Sequence, residues 1–142
     1  MSHSDPAPAP PDVALELEWE GELRFRGKAG AVSLVLDSDA EAGPSPVQAL
    51  AFALAGCMAI DVVHILTRGR LEVKALRASL RGERAGEDPR RFLRFELHFA
   101  VRGEIPADKV ERALGLSRDK YCSVWHSLRQ DLALETTFDV EP

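Results

Sequence analysis

A chain of 142 residues, 45% hydrophobic and 29% charged, has room for one domain with a packed core and is too ordinary in composition to be wholly disordered. Its formal net charge of −5 works against binding nucleic acid or an anionic membrane, because neutralising phosphates requires a basic surface. Two cysteines 65 positions apart, with no Cys-x-x-Cys spacing, argue against a secreted disulfide scaffold and against a zinc site, and fit a reducing, cytoplasmic setting.

Residues 1–12 are mostly Pro, Ala, Ser and Asp without an apolar centre, so they read as a disordered tail, and residues 13–142 as a single domain. Leu15, Leu17 and Trp19 alternate with glutamates, and Leu23 and Phe25 alternate with Arg24 and Arg26. This period of two predicts strands with one wet face. Gly27 to Gly30 supplies turn chemistry, after which Val32, Leu34 and Leu36 repeat the pattern up to Asp37-Ser38-Asp39.

Gly43-Pro44-Ser45-Pro46 ends the strands and opens a helix, with Ser45 as its cap and Pro46 at its first position. From Val47 to about Arg68 apolar residues occupy nearly every angular position, which predicts burial on most faces. The longest stretch without a polar side chain, Ala49 to Ile60, is shorter than the roughly 18 to 20 residues that cross a bilayer, so the helix is expected inside protein. A single small sheet covers only one of its faces, and a second subunit is expected on the other, the alternative being a monomer whose short helices cover it. Alanines at 49, 51, 53, 55 and 59, with Gly56, make a surface that another backbone can approach, and Gly56 makes a helix break before Cys57 inexpensive.

Leu71–Arg81 and Leu93–Arg102 read as a hairpin around the polar segment from Gly82 to Arg90, the second strand alternating cleanly through Phe95, Leu97, Phe99 and Val101. A short helix after Pro106 turns Val110, Ala113 and Leu114 inward, with Gly115 as its expected terminator. Ser117 is expected to cap another, from about Arg118 to Arg129, with Tyr121, Trp125 and Leu128 on one face. Leu132, Leu134, Thr136, Phe138 and Val140 close the chain as a strand. The order β-β-β-α-β-β-α-α-β is an α+β arrangement with mostly antiparallel strands.

On the long helix Cys57, Asp61 and His64 share one stripe at i, i+4 and i+7. The pattern has two opposed readings: a protonated His64 favours a Cys57 thiolate, whereas Asp61 disfavours it. A carboxylate in so apolar a helix has to be paired or to face a polar gap. Cys122 falls in the first turns of the Ser117-capped helix, where the macrodipole, Arg118 and Lys120 all act to lower a thiol pKa. Alone, Cys57 reads more readily as core filler than as a nucleophile, and Cys122 reads as a small hydrophobe beside Tyr121 and Trp125 as well as an activated thiol, but two isolated thiols on two helices also suit a peroxidatic and resolving pair if folding brings them together. His3, His98 and His126 form no metal-ligand spacing with His64.

Ser45-Pro46, the helix carrying Ala55-Gly56-Cys57-Met58-Ala59-Ile60-Asp61-Val62-Val63, and the later Ser117-x-x-Lys120-Tyr121-Cys122-Ser123-Val124 together resemble the OsmC/Ohr family, with the nearer likeness to its OsmC-like YhfA-type branch. The resemblance implies an OsmC/Ohr-like fold in which antiparallel sheets wrap around a central buried helix, as an intertwined homodimer with active sites at the subunit interface. It further implies a thiol-dependent organic hydroperoxide reductase acting in oxidative-stress defence. Cys57 would attack the peroxide, Cys122 would resolve the sulfenic acid as a disulfide, and an external dithiol of lipoyl type would restore the pair. No metal or other cofactor is implied. The apolar pocket for the substrate's alkyl group is expected near Phe52 and Trp125. The chain departs from the family pattern where better-known members carry a glutamate that holds an arginine against the thiolate: here Val47 and Gln48 occupy that place, and Arg24 and Arg26 are the candidate replacements for the arginine. That departure keeps open an alternative, a non-enzymatic small-molecule-binding or redox-sensing module of the same fold.

Overall fold

The structure, a computed structural model, describes residues 7–142; half of the expected tail, residues 1–6, lies outside the described residues. The chain divides into two compact units, one ending at Ala49 and the other running from Leu50 to Pro142.

The first unit is a three-stranded antiparallel sheet, β1 (Glu16–Trp19), β2 (Arg24–Ala29) and β3 (Val32–Asp37), in that order. Of the segment from Gly27 to Gly30 expected to turn, only the end does: β2 runs on through Gly27, opposite Leu34, and the chain reverses at Gly30, whose φ of 59° is the left-handed geometry a two-residue hairpin requires. Asp37 is buried at the end of β3, where its carboxylate accepts hydrogen bonds from the backbone N–H of Asp39 and Ala42, both at 3.0 Å. Those bonds, Ala42's first, hold its carboxyl below the ordinary value of 3.8, with Arg24 adding a smaller effect.

Ser45 and Gln48 then form a reciprocal capping box: Gln48 N–H donates to Ser45 Oγ at 3.2 Å, and Ser45 N–H donates to Gln48 Oε1 at 3.1 Å. It opens α1 (Pro46–Arg68), 23 residues without interruption, so Gly56 does not break the helix. By length and composition α1 is apolar enough to cross a membrane, a property the uninterrupted-run criterion missed. Leu54, Met58, Val62 and Leu66, four residues apart on one stripe, nevertheless belong to the protein's buried core.

That core lies in the second unit, on one face of a sheet made of β4 (Ala75–Arg84), β5 (Phe92–Arg102) and β6 (Ala133–Glu141). β5 is central and its alternation is the one read from the sequence, with Phe95, Leu97, Phe99 and Val101 all buried. β4 pairs with it antiparallel, but β6 pairs parallel, Leu134 opposite Phe95 and Val140 opposite Val101. A parallel neighbour demands a long crossover, and α2 (Ala107–Leu116) with the segment after it provides one. On the sheet's outer face His98, a lone histidine in the sequence, bridges Thr137 at 2.8 Å and Asp139 at 3.0 Å.

The segment after α2 departs most from expectation. Gly115 does not stop α2; the helix runs to Leu116 and widens into a π-turn over Ser117–Tyr121, closed by Cys122 N–H donating to Ser117 C=O at 2.7 Å. The expected helix from Arg118 to Arg129 is reduced to α3 (Ser123–His126), and its N-cap is Cys122 rather than Ser117.

Leu54→Ala should lower the unfolding free energy by about 2–5 kcal/mol in urea denaturation, since it leaves a cavity in the α1 stripe. The Asp37 contribution is complete above pH 3.8 and is lost as pH falls through its lowered value. Asp37→Asn should therefore be less stable at neutral pH and lose stability less steeply on acidification, as followed by thermal melts across pH.

Candidate functional site

The two cysteines, far apart in sequence, meet. Cys57 Sγ, Cys122 Sγ and a carboxylate oxygen of Asp61 all lie within 4.8 Å of one another. Cys57 and Asp61 come from α1, one helical turn apart, and Cys122 comes from the junction between the π-turn and α3. Cys122 is fully buried, whereas Cys57 and Asp61 are half-buried.

Asp61 obtains its partner from the π-turn. Ser117 Oγ, fully buried, donates to Asp61 Oδ2 at 2.8 Å. The sequence pattern gives Ser117 to a helix cap and leaves the partner of Asp61 open; the available signal was Asp61 itself, because a carboxylate in an apolar helix demands a donor. His64 does not join the sulfurs. It is exposed and, with Asp61, Arg68, Arg112, Leu116 and Tyr121, lines a cavity of about 670 Å³ that reaches the carboxylate's side of the site.

The local signals that act to lower the Cys122 pKa do not prevail. Its Sγ accepts a hydrogen bond from Trp125 N–H at 3.3 Å, which favours the thiolate, but burial outweighs it and pushes the thiol up to about 11. The neighbouring Cys57 and the Asp61 carboxylate act in the same direction as burial. Lys120 gives no support, lying over the Tyr121 ring at 5.2 Å from its centre. The macrodipole argument fails because the π-turn replaces the first turns of the expected helix, leaving Cys122 at the start of only four α-helical residues.

Gln48, at the place of the family glutamate, and Arg24 and Arg26, the candidate replacements for the arginine, each have partners of their own. Gln48 is committed to the capping box with Ser45. Within the first unit Arg24 pairs with Asp37 at 3.4 Å and Arg26 with Glu20 at 3.0 Å. Of the two aromatics expected near the site, Trp125 is buried and holds the Cys122 sulfur through its backbone, whereas Phe52 is 70% exposed.

The sequence model of the OsmC-like protein family matches residues 37–137. Protein YhfA of Escherichia coli strain K12 is 40% identical over 95 residues, covering 66% of this chain and 71% of YhfA. The crystal structure of a hypothetical protein from Aquifex aeolicus VF5 superposes with a TM-score of 0.85 at 28% identity, covering 92% of this chain and 97% of that one. An organic hydroperoxide resistance protein OsmC from Legionella pneumophila shares the fold at a TM-score of 0.70 and 12% identity, covering 94% of this chain and all of that one. An α+β chain with two small sheets, a long apolar helix and these matches belongs to the OsmC/Ohr family. Within it the chain falls in the YhfA-type branch.

Because Asp61 helps hold the Cys122 proton in place, Asp61→Asn in a Cys57→Ser background should lower the Cys122 pKa relative to Cys57→Ser alone, as read by the ultraviolet absorbance of the thiolate against pH. In the native wild type at neutral pH, iodoacetamide should label Cys57 before Cys122, by peptide mass analysis.

Proposed function

We propose that the protein is a thiol-dependent reductase of organic hydroperoxides, working as a homodimer, with Cys57 as the attacking and Cys122 as the resolving cysteine. The observation that carries this reading is two thiols within 4.8 Å of each other, one half-buried and one fully buried. The asymmetry supports this division of roles. A thiol with a pKa near 11 keeps its proton at neutral pH and is a poor first nucleophile, so the more accessible Cys57 meets the peroxide.

Cys57 Sγ, as thiolate, attacks one peroxide oxygen; the O–O bond breaks, the alkoxide takes a proton and leaves as alcohol, and Cys57 becomes a sulfenic acid. Cys122 Sγ then attacks the Cys57 sulfur, the S–O bond breaks, and the Cys122 proton leaves with the hydroxyl group as water. The disulfide requires the sulfurs to close to about 2.05 Å, a short approach from their present separation. An external dithiol, of the lipoyl class, restores both thiols by exchange. The cavity at Asp61 offers space for the organic group, and the Legionella neighbour's name, an organic hydroperoxide resistance protein, agrees with this chemistry.

The dimer rests on surface that the single chain leaves bare. Leu50, Phe52, Ile60 and Val63 on α1 are exposed, Phe52 and Ile60 each to 70%. In the first unit Leu17, Trp19, Leu23 and Val32 are exposed as well. Apolar surface on this scale is the mark of an interface, and a second copy offers a matching one.

Treatment with an organic hydroperoxide should remove two hydrogens from the intact mass, with Cys57 and Cys122 joined in the peptide map. Cys57→Ser should abolish dithiol-dependent peroxide consumption, while Cys122→Ser should stop at a sulfenic acid on Cys57. Absence of turnover in the wild type with several dithiols would defeat the reductase reading and, if the disulfide still forms, leave a redox sensor. Ile60→Asp should convert the dimer to monomer in sedimentation; a wild type that is already monomeric would defeat the dimer.

A further inference from the structure

We propose that the reduced site binds one thiophilic divalent cation of the Zn²⁺ class through Cys57 Sγ, Cys122 Sγ and Asp61, and that this ion and the hydroperoxide compete for the same sulfurs. Among the described residues, Cys57, Asp61 and Cys122 form the one group of three His, Cys, Asp or Glu side chains close enough to share an ion. A tetrahedral zinc site, with Zn–S of about 2.3 Å and Zn–O of about 2.0–2.2 Å, sets its ligand atoms roughly 3.5–3.8 Å apart. Donor atoms already within 4.8 Å of one another reach that spacing by small side-chain rotations.

The supporting bonds are those a metal site uses. Ser117 Oγ holds Asp61 Oδ2 at 2.8 Å, which fixes the orientation of the carboxylate. Trp125 N–H donates to Cys122 Sγ at 3.3 Å, a bond that steadies a metal-bound thiolate. Both donors belong to buried residues, so the two ligands are oriented before any ion arrives. Among the described residues no Lys, Arg or His makes an ion pair with Asp61. Two sulfurs and one carboxylate select a borderline or soft ion over Mg²⁺ or Ca²⁺. Three protein ligands leave a fourth position open to water, and half-buried Cys57 gives the ion a way in.

Binding replaces two thiol protons by the ion and releases both to solvent. The competition rests on the reductase reading above. An organic hydroperoxide oxidises the two bound sulfurs, the S–S bond forms and the O–O bond breaks. Two protons from solvent complete one alcohol and one water, and the divalent ion departs because a disulfide is no longer an anionic ligand.

The test uses the reduced full chain, with Co²⁺ as the visible probe and Zn²⁺ measured against a chromophoric chelator. One equivalent of Co²⁺ should give thiolate charge-transfer and tetrahedral bands that Zn²⁺ abolishes. Ser117→Ala should weaken Zn²⁺ binding about 10- to 100-fold. Asp61→Asn, which can keep the Ser117 hydrogen bond, should weaken it at least about 10-fold, on the scale of losing one ligand-orienting contact. Cys57→Ser should lose the charge-transfer band, with far-ultraviolet circular dichroism verifying the fold of each variant. Wild type with two titratable thiols that binds no stoichiometric ion overturns the site, as does equal binding by folded Asp61→Asn and wild type. Zinc release on adding cumene hydroperoxide, in step with disulfide formation, supports the competition; zinc retained while the disulfide forms overturns it. Ion binding without any peroxide turnover by the metal-free chain defeats the reductase reading and spares the metal site. Turnover without ion binding does the reverse.

Discussion

A carboxylate placed in an apolar helix has to find a donor or lose its charge, and in this protein that demand organises the site. Asp61 is met by Ser117, whose hydroxyl is carried inward by the π-turn that follows α2. The same turn delivers Cys122 into the core, at the point where the backbone becomes extended and α3 begins. One 2.8 Å hydrogen bond thus ties the long helix to the crossover segment and brings the two sulfurs together.

The electrostatics around that junction are unusual for a thiol site. Burial, a second thiol and a carboxylate all keep the proton on Cys122, against a single backbone N–H that favours its loss. Arg24, Arg26 and Gln48, the groups at the places where support was sought, serve the first sheet and the start of α1 instead. A buried, protonated partner thiol suits the second step of a two-cysteine cycle better than the first. The same anionic surroundings that restrain a thiolate suit a cation, so the proposed redox chemistry and the proposed ion binding draw on one set of atoms.

α1 also explains why this chain leaves so much apolar surface open. One stripe, Leu54 to Leu66, joins the core, while Phe52 and Ile60 face outward. A helix apolar on all sides gains from cover on each, and a small sheet offers cover on one.

The strands and long helix were legible because period-two and all-round apolar patterns are local, and the capping residues Ser45 and Pro46 mark the helix start in the chain itself. The inward face of β5, the inner positions of α2 and the family motifs around both cysteines could be read in the same way. Three features could not. The parallel pairing of β6 depends on where a crossover returns, the π-turn defeats a glycine-stop rule at Gly115, and the Cys122 proton is held by burial and by neighbours distant in sequence. Sequence by itself determined the elements, the family and the candidate cysteines, since these depend on residues close along the chain. Only the tertiary structure decided that Ser117 answers Asp61 and that Cys122 is the restrained thiol, because desolvation and charge act through space and fall off with distance rather than with residue number.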